Sequence, residues 1–351
     1  MLSQHLWGTP FRTPEEVVRW FGALQAQDFP VAKWSVAQRA NGVTNAAMDQ
    51  AFNDGAILRT HLLRPTWHFV LPEDIRWMLD LTAPRVNALN AHRYRQLDLD
   101  RPLFAKTNAL IAKVLKDGSQ RTRKELAAIL ERGGFKTDGQ RLAYILMRAE
   151  LDGVVCSGAR RGKQHTYASL AKLAPRARTL DRDAALAELT RRYFTSRGPA
   201  TLKDYVRWSS LTVAEGRSGL DSVKPELEHE VVDGRTYWFA ESSPKAKTSS
   251  KVIDLVQGLD EYIMSYSESR DVLLGSLGAD AAARIAIVFV HAVLLDGQLI
   301  GHWRPVSGRD SVVIEASLHR RLSRVEEKAL RAAVERYGRF LGVPASYSTF
   351  L

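Results

Sequence analysis

The sequence predicts a mainly α fold with β wings (α+β), and three observations carry that prediction. A run of three helical segments followed by a short hairpin recurs three times along the chain. Two of the helices open on capping boxes, at Thr13 and Thr122, which mark their starts independently of hydrophobic periodicity. Beyond residue 246 the pattern changes to apolar strands and one amphipathic helix, a β-rich C-terminal module. The chain has 351 residues, enough for several domains. We place the units at 1–100, 101–175, 176–245 and 246–351.

In the first copy Thr13 caps a helix running to Phe21. Pro14 stands at its first position, where a missing N–H is harmless, and Glu16 completes the box. A second helix is expected over Gln25–Asn41, a third near Thr44–Asn53, and strands at Ile57–Leu63 and Thr66–Val70.

The middle copy is the most regular. Lys106–Leu115 reads as a helix with Leu110, Val114 and Leu115 on one side. Thr122 with Glu125 opens the next helix, which carries Leu126, Ile129 and Leu130 and stops at Gly133-Gly134. The third helix, Asp138–Leu151, buries Leu142, Ile145, Leu146 and Ala149 and turns Arg141 and Arg148 outward. A hairpin follows: Val154–Cys156, a tip at Gly158–Lys163, and a return ending at Thr166-Tyr167.

The third copy has Asp183–Arg197 as its first helix, with Leu186, Leu189, Tyr193 and Phe194 inward. Pro199-Ala200-Thr201 opens Leu202–Ser209, and Thr212–Leu220 is the third helix. Asp233-Gly234 between Leu227–Val232 and Thr236–Ala240 is a strong hairpin signal. Helix-helix-helix-hairpin is the pattern of a winged helix-turn-helix, and three units of roughly 55–70 residues imply duplication. In the last part the polar stretch Glu241–Ser250 reads as a linker, Ala283–Leu295, Gln298–Pro305 and Ser311–Ser317 as strands, Asp296-Gly297 as a turn and Glu326–Leu341 as a helix.

Charge narrows the function. Lys and Arg number 50 against 39 Asp and Glu, a net +11, which favours a polyanionic partner. Residues 151–180 concentrate it, with six basic side chains (160, 161, 163, 172, 176 and 178) against Asp152 alone. A helix presenting Arg141 and Arg148 suits the major groove, and a wing tipped by Arg160, Arg161 and Lys163 suits neighbouring phosphates. The same hairpin also occurs as a solvated feature of protein-interaction winged helices. Double-stranded DNA is the expected partner of a monomeric protein.

Other classes are set aside. No stretch approaches the roughly 20 apolar residues of a membrane span, and Met1–Pro10 lacks the pattern of a signal peptide. A cytoplasmic, nucleoid-associated protein is expected. The single cysteine, Cys156, permits no internal disulfide and reads as a small core residue. There is no HExxH motif. Gly158–Lys163 is one residue short of a phosphate loop and is followed by Gln164 instead of Ser/Thr. No metal or organic cofactor is expected. Asp260-Glu261 reads either as a structural carboxylate pair, with Arg304 as partner, or as an acid/base pair.

Five stretches resemble a known family. They are Leu24–Asp28 (LQAQD), Arg64–Val70 (RPTWHFV), Arg192–Thr201 (RYFTSRGPAT), Gly258–Tyr262 (GLDEY) and Asp296–Arg304 (DGQLIGHWR). They span nearly the whole chain and are similar to the bacterial winged-helix proteins related to the AlkZ and YcaQ DNA glycosylases. The resemblance implies three tandem winged helices around a basic concave surface, with a β-rich C-terminal part. It implies excision of alkylated bases, N7-alkylguanines and crosslinked ones included. The AlkZ branch carries Gln-x-Gln and the YcaQ branch Gln-x-Asp. Gln25-Ala26-Gln27 resembles the former, which makes Gln25 and Gln27 the catalytic pair, with His68 as a second active-site candidate. On the residues alone, His68 in an apolar strand reads equally as a satisfied structural histidine. Asp28 reads as a base or as a turn cap.

Two amides suit such a reaction. An N7-alkylguanine already carries positive charge, so its glycosidic bond is weakened and leaving-group protonation matters less. What remains is to place a water and to stabilise the cationic sugar, for which amide oxygens serve as acceptors. Residues i and i+2 face one side of an extended segment but lie about 200° apart on a helix. The chemistry therefore calls for extended or irregular backbone at Gln25–Gln27. Water is the expected nucleophile, because no lysine is placed for Schiff-base chemistry. The rival expectations are a non-catalytic DNA-binding regulator, which would bind a defined operator, and a protein-interaction scaffold, which the net charge disfavours.

Overall fold

The computed structural model describes residues 1–8, 10–240, 251–274 and 290–351. The first part contains α1 (Pro14–Phe21), β1 (Ala23–Gln25), α2 (Phe29–Ala37), α3 (Asn45–Asn53), β2 (Leu58–Leu62) and β3 (Arg64–Val70). Thr13 and Glu16 form the expected box: the Glu16 N–H donates to Thr13 Oγ1 at 3.3 Å and the Thr13 N–H to Glu16 Oε2 at 3.0 Å. Gly22 then takes φ 73°, a left-handed value that ends α1 and turns the chain into β1.

The helix expected over Gln25–Asn41 is corrected. Gln25 ends strand β1, and α2 begins only at Phe29. Pro30 lacks an N–H and disfavours a helical residue before it, and here it stands in the first turn of α2, where the missing donor costs nothing. The freed segment pairs antiparallel with β3, Ala23 facing Val70, Leu24 facing Phe69 and Gln25 facing His68, in a sheet of order β1-β3-β2.

α4 (Ile75–Gln96) was not anticipated. Its Trp77, Met78, Leu79 and Leu81 are all buried, so they form no one-sided stripe, and Pro84 interrupts its middle. Next come α5 (Arg101–Val114), β4 (Arg121–Thr122), α6 (Arg123–Arg132), α7 (Arg141–Leu151), β5 (Val155–Arg161) and β6 (Gln164–Ser169), with a sheet of order β4-β6-β5, and a short α8 (Leu170–Leu173). α5 starts ahead of Lys106 because Asp100 caps it, accepting from the Leu103 N–H at 2.8 Å. α7 starts at Arg141 rather than Asp138 because Gly139, at φ 57°, holds a turn there. The hairpin tip is tighter than expected: Arg161 pairs with Gln164, leaving Gly162-Lys163 as the turn.

α9 (Arg182–Arg197), α10 (Leu202–Ser209), α11 (Val213–Val223), β7 (Leu227–Val232) and β8 (Arg235–Ala240) follow closely as predicted. Asp233 and Gly234 take φ 50° and 74° in the hairpin turn. The last part adds β9 (Ile253–Val256), two short helices α12 (Glu261–Met264) and α13 (Arg270–Leu274), then β10 (Ala292–Leu295), β11 (Gln298–Ser307), β12 (Val312–Leu318), α14 (Arg324–Leu341) and β13 (Ala345–Phe350). They build a sheet of order β13-β12-β11-β10-β9 in which only β12 and β13 run parallel, joined through α14. The expected linker Glu241–Ser250 and most of the expected strand Ala283–Leu295 lie outside the described residues; Ala292–Leu295 is a buried strand.

The cores cross the sequence divisions. Phe21, Trp34 and Phe69 pack in one cluster with Leu255, Trp303, Tyr337 and Phe340, so the two ends of the chain share a core. Trp34 Nε1 donates to the Leu255 carbonyl at 2.7 Å, satisfying its one polar atom inside it. A second cluster joins Leu58 and Val70 of the first sheet to Trp77 of α4 and to Tyr193, Phe194 and Trp208. A third, with Phe104, Ile111, Leu126, Leu130 and Ile145, belongs to the middle of the chain alone. β1 therefore sits where the first two clusters meet.

Candidate active site

The backbone at Gln25–Gln27 is extended and then irregular, and the two amides do not share one face, Gln27 being exposed and Gln25 not. Gln25 is buried, and its Oε1 accepts the Gln27 N–H at 3.0 Å. Its own N–H donates to Glu261 Oε1 at 2.8 Å. The other oxygen of Glu261 accepts from Arg197 Nη2 at 2.8 Å, Trp208 Nε1 at 3.0 Å and Ser265 Oγ at 2.8 Å. Burial alone would raise this carboxyl, but the Arg197 and Arg64 guanidiniums and the Gln25 amide outweigh it and hold it down at about 2. Arg197 also donates to the Phe21 and Ala23 carbonyls at 2.9 and 2.7 Å and lies 4.3 Å over the Trp208 ring. A fully hydrogen-bonded ion pair thus grips the edge of β1 that β3 leaves free.

Asp260 and Glu261 both sit in buried ion pairs, and the expected partner, Arg304, is corrected. Asp260 takes both oxygens to Arg39, at 2.7 and 2.9 Å, and Glu261 takes Arg197. Arg304 instead bonds Glu315 at 2.6 Å, its register partner across β11 and β12 on an exposed face. Buried carboxylates need buried cations, and the sequence positions of Arg39 and Arg197 carry no spacing signal that would name them.

Gln27 and Asp28 stand at the surface, on one wall of a cleft of about 920 Å³ between the first and middle parts of the chain. Gln27 Oε1 accepts the Trp67 N–H at 3.3 Å. Arg59 lies in the floor, donating to the Ala26 carbonyl at 2.9 Å, 4.4 Å over the Trp67 ring; burial lowers its pKa to about 10. Trp67 Nε1 donates to the buried Glu150 at 3.3 Å, and Glu150 also pairs with His61. His165 and Tyr167 of β6 and Arg123 and Lys124 at the start of α6 form the facing wall. Burial, helped by Arg59 and Arg160, lowers His165 to about 4, so it faces the cleft as a neutral ring. Arg59 was legible in principle, as an arginine inside the expected strand Ile57–Leu63; Arg123 and Lys124 were not, because nothing in sequence aims them at Gln27.

The remaining predicted site residues spread out. His68 is wholly buried behind Gln25. Its Nδ1 meets the Thr66 carbonyl at 3.0 Å, which only accepts, so the proton is on Nδ1 and Nε2 faces Arg64 at 3.4 Å as an acceptor. Burial first, then Arg64, lowers its pKa to about 3. Arg141 donates to the Leu97 carbonyl. Arg148 is held by Asp152 at 2.8 Å over the Phe104 ring, in a separate groove beside α4. Arg160 lies 5.1 Å over Phe29, near the cleft, within 3.9 Å of Asp49. Arg161 pairs with Glu125 at 2.9 Å. Lys163, at the wing tip, is exposed. Cys156 is a buried free thiol. Among the described residues no cluster of three or more His, Cys, Asp or Glu could hold a metal ion, and no helix is long and apolar enough to cross a membrane.

The fold is mixed α+β, with the Gln27 amide on the wall of a cleft and the Gln25 amide buried behind it. The model of the DNA glycosylase AlkZ-like family matches residues 18–340, and the chain belongs to that family, enzymes that hydrolyse N-glycosyl bonds. An interstrand DNA cross-link repair glycosylase from Streptomyces sahachiroi is 25% identical over 304 residues, covering 83% of this chain and 82% of its own. The solved structure of the Streptomyces sahachiroi DNA glycosylase AlkZ matches with a TM-score of 0.82 at 22% identity, over 99% of this chain and 96% of that one. The described residues share that fold. Family membership does not favour the non-catalytic regulator.

Proposed function

We propose that this protein is a monofunctional glycosylase that excises cationic alkyl-purines, N7-alkylguanines and interstrand crosslinks among them, from double-stranded DNA. The observation that carries the reading is the exposed amide of Gln27 on the wall of the cleft, with the buried amide of Gln25 fixed behind it. In this reading Gln27 positions the attacking water beneath the sugar carbon and Gln25 holds its backbone. The purine leaves as a neutral base, so no general acid is required, and neutral His68 supports the sheet from behind. Three winged-helix units, with divisions at 1–100, 101–175 and 176–245, carry the duplex, and 246–351 braces the site. Arg160, Arg161 and Lys163 contact phosphates; Arg141 and Arg148 contribute from α7. The enzyme acts as a monomer in the nucleoid, without a cofactor.

The test is alkali-revealed strand breakage of a duplex carrying one N7-alkylguanine, with wild type and a Gln25→Ala/Gln27→Ala double variant. Abasic sites from the wild type alone support the reading. No abasic sites from either, across methyl, bulky and crosslinked lesions while both bind DNA, would sink it.

A further inference from the structure

Asp28 occupies the N-cap position of α2, where an aspartate ordinarily accepts a helix N–H, yet its carboxylate makes no cap hydrogen bond. Pro30, at the second helical position, removes one of the donors it would use. No hydrogen bond or ion pair among the described residues engages the carboxylate. It is exposed and lines the cleft beside Gln27, and its charge is felt by Arg59 below it and by His291. By contrast Asp74, Asp204, Asp260 and Glu261, all buried, are tied up in ion pairs or hydrogen bonds.

A bare carboxylate in a cleft that receives a polyanion repels the phosphates of undamaged DNA. It attracts a reacting group that is positive. An oxocarbenium-like sugar and a cationic alkyl-purine are both positive, and a water attacking the sugar must lose a proton. Gln27 cannot take that proton, because an amide is not a base at neutral pH.

From this geometry we infer that Asp28 is a catalytic residue: it faces the developing sugar cation and takes the proton of the water that Gln27 positions. The C1′–N9 bond breaks with its electron pair moving to the purine, which cancels the purine's positive charge. The water oxygen bonds to C1′, and its proton passes to the Asp28 carboxylate and then to solvent. The products are a neutral alkyl-purine, an abasic sugar and one proton. This rests on the glycosylase reading above.

The test is single-turnover release of N7-methylguanine from a duplex oligonucleotide by Asp28→Asn, alongside its affinity for the same duplex undamaged. The side chain is exposed and unpartnered, and Asn is an equally good N-cap residue, so the variant folds; its melting curve checks this. The expected result is a rate lowered by about 100-fold, the scale of a lost general base, with affinity equal to or tighter than wild type. Release within about three-fold of wild type overturns the inference, as does a loss that tracks weakened DNA binding. If the wild type releases no base from this duplex or from duplexes carrying a bulky or crosslinked N7-alkylguanine, the glycosylase reading fails as a whole, a result separable from failure of Asp28 alone.

Discussion

The backbone amide of Gln25 donates to Glu261 at 2.8 Å across 236 positions of sequence. The carboxylate that receives it is also the partner of Arg197, so one buried charge ties β1 to α9 and to the C-terminal part of the chain.

Removing that charge should be costly. In Glu261→Gln the side chain still accepts the Gln25 N–H, but Arg197 becomes a buried cation without a counter-charge. We expect a loss of about 3–5 kcal/mol, the scale for breaking a buried pair from one side. Chemical denaturation checks it; a loss below about 1 kcal/mol would mean water reaches Arg197 in the native state.

The buried histidine predicts an acid weakness. The pKa of His68 falls from 6.5 to about 3 on folding. Its neutral form is favoured in the native state, so its contribution to stability is complete above pH 6.5 and is lost progressively as pH falls toward 3. The slope it adds is about 1.4 kcal/mol per pH unit within that window. Urea melts of wild type and His68→Gln at stepped pH should show a shallower acid decline in the variant.

Two cations on the proposed DNA face should behave differently. Lys163 is exposed at the wing tip, whereas Arg148 is already committed to Asp152 and Phe104. Lys163→Ala should lower the slope of log affinity against log salt by about 0.9, one phosphate contact. Arg148→Ala should lower it by clearly less, because Asp152 already holds the Arg148 charge. Fluorescence anisotropy across a salt series measures both.

Cys156 has no solvent exposure, and burial pushes its thiol well up. The native protein should not react with a thiol-titrating disulfide reagent over hours, and should titrate one thiol once unfolded. Rapid reaction under native conditions would show that the Val155–Arg161 strand opens locally.

Much of the architecture was legible because its signals are local. Thr13, Thr122 and Asp233-Gly234 act on their nearest neighbours, and the elements they bound lie where the sequence places them. α4 escaped because it is buried on several sides and contains Pro84, so neither periodicity nor a clean boundary announces it. β1 escaped because three residues are too few for a pattern; only pairing with β3 makes them a strand. At the site, Gln25 and Gln27 were singled out through their neighbours in sequence. The Arg197–Glu261 pair and the Arg123–Lys124 wall were not, because they reach the site through tertiary packing, which no local spacing encodes.

The grip of Glu261 on Gln25 also has a consequence for biosynthesis. Translation runs from the N-terminus, so the segment carrying both glutamines leaves the ribosome long before its anchor has been made. At roughly 5–20 residues per second, the delay between them is roughly 10–50 s. Until then β1 lacks its acceptor and Arg197 its counter-charge. A nascent chain halted before residue 261 carries the glutamines without the scaffold that orders them, so competence to act on DNA waits on a segment made long after them.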